Sequence, residues 1–218
     1  MGQQHYVFNA LKFGDTTYVM NAYSFPKLLT CISSCKITTF AVVPPIVVSL
    51  AKHPLVQETD LSSLRSLLCG AAPLGAETQI QAEEAMARKG TKVIIQQAWG
   101  MSEVTLAATS FFPLERDPDV TGVGYINPGM EARIVDDNGK DVNPGEEGEI
   151  LLKGPNVFEG YWRKEKETKE AFVDGCWYKT GDIAVVKRDG IIHIVDRKKE
   201  LIKVKGRIST NLHTKYVW

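Results

Sequence analysis

The sequence predicts an α/β fold, a parallel α/β segment followed by a small antiparallel β subdomain. Three observations predict it. Strand-like, helix-like and strand-like patterns follow one another between residues 61 and 97 at the spacing of a parallel unit. After Pro113 the texture changes to short β-rich stretches. Two turn sequences, Asp136-Asp-Asn-Gly-Lys140 and Arg188-Asp-Gly190, punctuate that second half.

The elements follow in order. Lys36 to Val43 is β-branched and apolar and ends at Pro44-Pro45, which reads as a buried strand and a turn. Ile46 to His53 fits a short helix. Leu61 to Cys69 brings Leu61, Leu64, Leu67 and Leu68 together, and its last part reads as a strand running into Gly70-Ala-Ala-Pro73. Gly75 to Lys89 is rich in Ala, Glu and Gln and stops at Gly90, as a helix does. Thr91 to Gln97 reads as a strand broken at Trp99-Gly100. Beyond Pro113, Glu131 to Val135 and Glu149 to Lys153 read as strands joined through the Asp136–Lys140 turn. Glu165 to Phe172 reads as a helix, and Asp182–Lys187 with Gly190–Val195 as a second hairpin. The expected divisions are residues 1–112, a partial α/β subdomain; 113–196, a β-rich subdomain; and 197–218, a hinge with a divergent C-terminus.

Composition narrows the partners. The 218 residues carry zero formal net charge, so there is no bulk electrostatic case for nucleic acid or an acidic membrane. The four cysteines, Cys31, Cys35, Cys69 and Cys176, make no Cys-x-x-Cys pair and no zinc pattern, and they suit a reducing compartment. Phe40 to Ala51 is the longest apolar stretch, too short to span a bilayer and interrupted by prolines. The first residues have neither the charge nor the apolar core of a signal peptide. A soluble, cytoplasmic protein is expected. No Gly-x-Ser-x-Gly elbow supports a hydrolase, and Gly122-Val-Gly124 is too short for a dinucleotide loop.

Four separated stretches carry chemistry: Gly70-Ala-Ala-Pro-Leu74, Trp99-Gly-Met-Ser-Glu103, Tyr178-Lys-Thr-Gly-Asp182 and Ile194-Val-Asp-Arg-Lys-Lys-Glu-Leu-Ile-Lys-Val-Lys-Gly206. With Gly148-Glu-Ile and Gly160-Tyr-Trp between them, and in this order, they resemble the adenylate-forming superfamily of acyl-CoA synthetases, luciferases and peptide-synthetase adenylation domains. The resemblance is nearest to 4-coumarate–CoA ligase-like enzymes and covers nearly the whole chain up to Gly206. It implies part of the large domain of such an enzyme, with ATP/AMP and Mg2+ at the site and a carboxylic acid and CoA as substrates. Some full-length relatives are peroxisomal; the last three residues here are not a peroxisomal tripeptide.

In that chemistry a carboxylate attacks the α-phosphorus of ATP and pyrophosphate leaves. The protein must hold adenine and ribose, neutralise phosphate charge and align the acid. Gly70, Ala71 and Ala72 belong to a turn of small side chains, by itself a simple strand-to-helix turn, which on the resemblance lets adenine approach the backbone. Trp99, where the family has Tyr, offers a face to adenine, with Gly100 next to it. Ser102, where the family has Thr, offers a hydroxyl to a phosphate oxygen. The resemblance makes Glu103 the magnesium carboxylate. Asp182 can accept bonds from both ribose hydroxyls, and Arg197 resembles the family arginine at the ribose. Lys199 falls at the family hinge, and Lys203 matches a lysine near the acyl phosphate.

The family's phosphate loop, rich in Ser, Thr and Gly with a lysine, has no match here. Arg207 to Trp218 does not match the family's continuation either. The expectation is an internal fragment with an uncovered surface prone to self-association. Three readings follow: an acid–CoA ligase by descent, a nucleotide-binding pseudoenzyme, and an inactive truncated product.

Overall fold

The computed structural model describes residues 5–115 and 117–198, together with the backbone of 3–4, 202–204 and 207–209. It divides after Asn127 into two compact units.

The first unit opens with a helical stretch, Gln3–Asn9 and α1 (Ala10–Phe13), closed by Gly14 in a left-handed conformation. Helix α2 (Phe25–Cys35) follows, with Ser24 extended before it and a proline in its first turn, where no amide is needed. Phe25, Leu29 and Ile32 form its buried face at intervals of four and three residues. Three strands follow, β1 (Thr39–Val42), β2 (Ser66–Cys69) and β3 (Ile94–Gln97), paired in parallel in that order. Between them lie α3 (Pro44–Lys52), α4 (Leu55–Glu58) and α5 (Ala76–Ala87). The core is one cluster that includes Leu29, Ile32, Val47, Leu50, Leu61, Leu67, Met86 and Ile95.

The two prolines after β1 were expected to make a turn. Instead Pro44 and Pro45 occupy the first positions of α3, where a fixed φ and a missing amide cost nothing.

Helix α5 attaches through polar groups as well as through Ala82 and Met86. Gln79 donates from Nε2 to the Ile95 carbonyl at 2.6 Å, and Glu83 Oε1 accepts from the Ile95 amide at 3.0 Å. Since β3 ends the sheet, these two side chains occupy main-chain groups on its outer edge. On the opposite edge, the Ala41 amide donates to the Tyr6 hydroxyl at 2.8 Å. A short antiparallel pair, β4 (Thr109–Ser110) with β5 (Tyr125–Ile126), completes the unit.

The second unit contains an antiparallel sheet. Its elements are β6 (Glu131–Val135), β7 (Gly148–Lys153), α6 (Glu165–Ala171), β8 (Phe172–Val173), β9 (Trp177–Val186) and β10 (Ile192–Arg197). The strand order is β10-β9-β7-β6, with β8 also on β9. The Asp136–Lys140 turn closes, but not onto β7. It folds back so that Val142 donates to Ile134 and Asp141 bridges Val135, and β7 pairs with β6 only afterwards. The second hairpin forms about Asp189-Gly190 as expected, but β9 begins at Trp177 rather than at Asp182. A last pair, β11 (Ile202–Val204) with β12 (Arg207–Ser209), is antiparallel. No helix among the described residues is long and apolar enough to cross a membrane.

Candidate functional site

In the first unit, two of the motifs leave neighbouring strands at the same end. Cys69 and Gln97 are partners at the carboxyl ends of β2 and β3, and the Ala98 amide donates to the Cys69 carbonyl at 2.9 Å. Gly70 to Gly75 follows one strand and Ala98 to Gly100 the other. The carboxyl ends of parallel strands are where open α/β sheets place ligands.

Gly70 is buried, and Ala71, Ala72 and Pro73 are exposed. Ala71 has φ +71°, a left-handed conformation unusual for a residue with a side chain. The loop is fixed by Gln97, which the sequence analysis did not single out. Its Oε1 accepts from the Leu74 amide at 3.1 Å, and its Nε2 donates to the Leu74 and Val120 carbonyls at 3.1 and 3.0 Å. Its place at the end of the Thr91–Gln97 stretch, one residue short of the Trp99 motif, was the available clue.

Trp99 is half-buried and bonded through its backbone: its amide donates to Thr109 Oγ1, and its carbonyl accepts from Ala108 and Thr109. Gly100 is required by packing. A Cβ there would sit on the Leu106 carbonyl oxygen and 2.6 Å from the Ala107 Cα. Ser102 and Glu103 lie in a single 3-10 turn, Ser102–Val104, ended by Thr105 in a left-handed conformation. Ser102 is exposed, Glu103 is half-buried, and Val104 anchors the turn in the core.

In the second unit, Asp182 and Arg197 face each other across β9 and β10, with Arg197 Nε 3.3 Å from Asp182 Oδ1. The structure places Asp182 inside a strand, where β9 bulges. Glu149 pairs with Ile183 and Leu151 with Lys179, so Ile150 alone faces Thr180, Gly181 and Asp182. The bulge is pinned by Thr180 Oγ1 donating to the Ile150 carbonyl at 2.7 Å and by the Lys198 amide donating to the Gly181 carbonyl at 2.8 Å.

A buried carboxylate, Glu149, also absent from the expected site, accepts from the Gly181 amide at 3.2 Å and from Lys198 Nζ at 2.9 Å. Lys198 Nζ lies 3.4 Å from Asp137 as well. The hydrogen bond to Glu149 raises the Lys198 ammonium above its ordinary range, against the opposing effect of its partial burial. Lys199 lies outside the described residues. Of Lys203 only the backbone is described, opposite Ile208 in the β11–β12 pair.

A family model described as "AMP-binding enzyme" matches residues 1–162. The chain is 39% identical over 207 residues to "Probable 4-coumarate--CoA ligase 2" of Dictyostelium discoideum, covering 94% of this chain and 36% of that protein. Among solved structures, it resembles ATP-bound MatB from Rhodopseudomonas palustris with a TM-score of 0.82 at 31% identity, over 95% of this chain and 40% of that one. It also resembles the anthranilate CoA ligase AuaEII in complex with anthranoyl-AMP, with a TM-score of 0.77 at 29% identity, over 89% and 37%. The chain thus spans about a third of the length of the curated relatives it matches.

Proposed function

The chain belongs to the AMP-binding enzyme family, and from that premise we propose that its protein is an acid–CoA ligase. The reaction runs in two steps. The acid's carboxylate attacks the α-phosphorus of ATP, forming an acyl-adenylate and releasing pyrophosphate. The CoA thiol then attacks the acyl carbon, giving the thioester and AMP.

The observation that carries this reading is the pairing of Cys69 with Gln97, which sends the Gly70 and Trp99 motifs off adjacent strand ends. Gly70, Ala71 and Ala72 offer adenine an approach to the backbone, and Trp99 offers it an aromatic face. Gly100 lets the Trp99 turn pass close to Leu106 and Ala107. Ser102 presents its hydroxyl to a phosphate oxygen. Asp182 accepts from the ribose hydroxyls, with Arg197 beside it.

Magnesium enters with ATP. Glu103 would hold it: a carboxylate next in sequence to the exposed Ser102 hydroxyl is the kind of ligand a hard cation takes alongside phosphate oxygens and water. Bound there, the cation would withdraw charge from the phosphates. Lys203 is proposed to act near the acyl phosphate and Lys199 at the hinge, both on the resemblance alone. The free thiols suit a reducing compartment, the cytoplasm.

For the 218-residue chain taken alone, we propose nucleotide binding without turnover, since the groups named address adenine and ribose more than the β- and γ-phosphates. Ligand-observed NMR should show AMP and ATP binding about equally, near ~1 mM. Pyrophosphate exchange with aromatic or fatty acids should be undetectable. Tight, magnesium-dependent ATP binding with no AMP binding would mean that the wrong groups have been placed at the nucleotide.

A further inference from the structure

Glu149 stands where a carboxylate is costly. It is 9% exposed, in a strand whose neighbours Gly148, Ile150, Leu151 and Leu152 are all buried. Such a group persists only when both oxygens are partnered. One partner is the amide of Gly181, which belongs to the bulge opposite Ile150. The other is the ammonium of Lys198. Each partner immediately neighbours one member of the Asp182–Arg197 pair, and the Lys198 amide also bonds the Gly181 carbonyl. One buried side chain therefore ties together the two segments that present the pair.

We infer that Glu149 is a positioning residue for nucleotide ribose: it holds the Thr180–Asp182 bulge and the end of β10 in the one arrangement that sets Asp182 against Arg197. The inference rests on the proposed ribose role of Asp182. Glu149 itself touches no substrate. Its physical effect is to fix Gly181, which sits at φ +74° and would otherwise be among the freest points of the strand. Thr180 supplies a second anchor from its hydroxyl to Ile150. A carboxylate accepting from both an amide and an ammonium makes the stronger, charge-assisted kind of hydrogen bond.

The test compares AMP with 2′,3′-dideoxyadenosine 5′-monophosphate, which lacks the ribose hydroxyls, by ligand-observed NMR on the 218-residue chain. The wild type is expected to prefer AMP roughly tenfold. Asp182→Ala should erase the preference. Glu149→Ala should reduce it to about twofold or less while leaving dideoxy-nucleotide affinity unchanged. Glu149→Gln keeps an acceptor for the Gly181 amide but loses the ion pair with Lys198, and should retain about threefold. Adding Glu149→Ala to Asp182→Ala should cost nothing further, because the two act through one contact.

A Glu149→Ala protein with the full AMP preference would overturn the inference, as would one that loses both nucleotides equally. Should Glu149→Ala fail to fold, Glu149→Gln decides, and full preference there overturns the inference. A wild type that does not discriminate the two nucleotides removes the ribose assignment and this inference with it. Loss of preference in Asp182→Ala but not in the Glu149 variants removes this inference alone.

Discussion

Asp182 has a side chain only 5% exposed, whereas that of its partner Arg197 is 70% exposed. The buried carboxylate is held in place, and the guanidinium is largely solvated, so of the pair Asp182 is the one proposed as the directional ligand. Replacing it with alanine should weaken AMP and ATP alike, by roughly tenfold, because a charge-assisted hydrogen bond is lost in both complexes. Glu103→Ala should leave AMP binding unchanged, since its proposed partner is a cation that arrives with the polyphosphate. Calorimetric titration of both variants checks the contrast, and equal effects on AMP would contradict it. Two other groups fix a dependence on pH. Burial pushes the Cys69 thiol up to about 11 from its ordinary 9.0, and its hydrogen bond with Glu149 raises the Lys198 ammonium. A raised folded value favours the protonated form, so both contributions to stability are complete at neutral pH. The Cys69 contribution is lost as pH climbs from 9 through 11, and that of Lys198 as pH rises above its ordinary 10.5. Alkylation at pH 8 should accordingly label exposed Cys176 first and reach Cys69 only on unfolding; mass mapping that finds early Cys69 modification would contradict the burial.

At the scale of elements, the Gly70 and Trp99 loops depend on two residues, Gly100 through the space its missing side chain leaves and Gln97 through hydrogen bonds. Gly100→Ala should lower stability by about 2–3 kcal/mol, because the new methyl group meets the Leu106–Ala107 backbone. Gln97→Leu removes the partners of the Leu74 amide and carbonyl and the Val120 carbonyl, and a similar loss of about 2–3 kcal/mol is expected. Urea denaturation measures both. The strands around these loops could be read from the sequence, since Thr39–Val42 and Ile94–Gln97 sit in apolar, β-branched stretches bounded by proline and glycine. Helix α5 was legible for its propensity and its glycine stops. Helix α2 was not predicted: Thr30, Ser33, Ser34 and two cysteines weaken its local preference, and only packing of Phe25, Leu29 and Ile32 stabilises it. The motifs gave the expected residues of the site, but not Gln97 or Glu149, whose roles depend on contacts with residues 23 and 49 positions away. The bulge at Thr180–Asp182 was hidden for the same reason. It arises from the register between β7 and β9, and no local pattern encodes a register between distant strands.

For the whole molecule, the question is what the 218-residue chain does with its exposed surface. An uncovered strand edge or apolar face was the expected route to self-association. Two edge positions are occupied from within the first unit: Tyr6 bonds Ala41, and Gln79 with Glu83 bonds Ile95. The apolar surface lies elsewhere. Val7, Phe8, Leu11 and Phe13 are about half to four-fifths exposed in the N-terminal helical stretch, with Tyr18, Val19 and Tyr23 following. Clusters of this kind mark contact surfaces or aggregation sites. Fully burying one such side chain is worth about 1.5–3 kcal/mol, so three or four of them suffice to drive association despite its entropic cost. We therefore expect the isolated chain to self-associate through this segment. Sedimentation velocity over a concentration series should show growing oligomers for the wild type. Leu11→Glu with Phe13→Glu should shift the population to monomer without lowering the melting temperature, since both side chains are more than 65% exposed and contribute little to the core. A wild type that stays monomeric at high micromolar concentration would show that this surface is not sticky enough to pair. Association that persists in the double variant would place the contact elsewhere, with the exposed Phe112–Leu114 segment the next to examine.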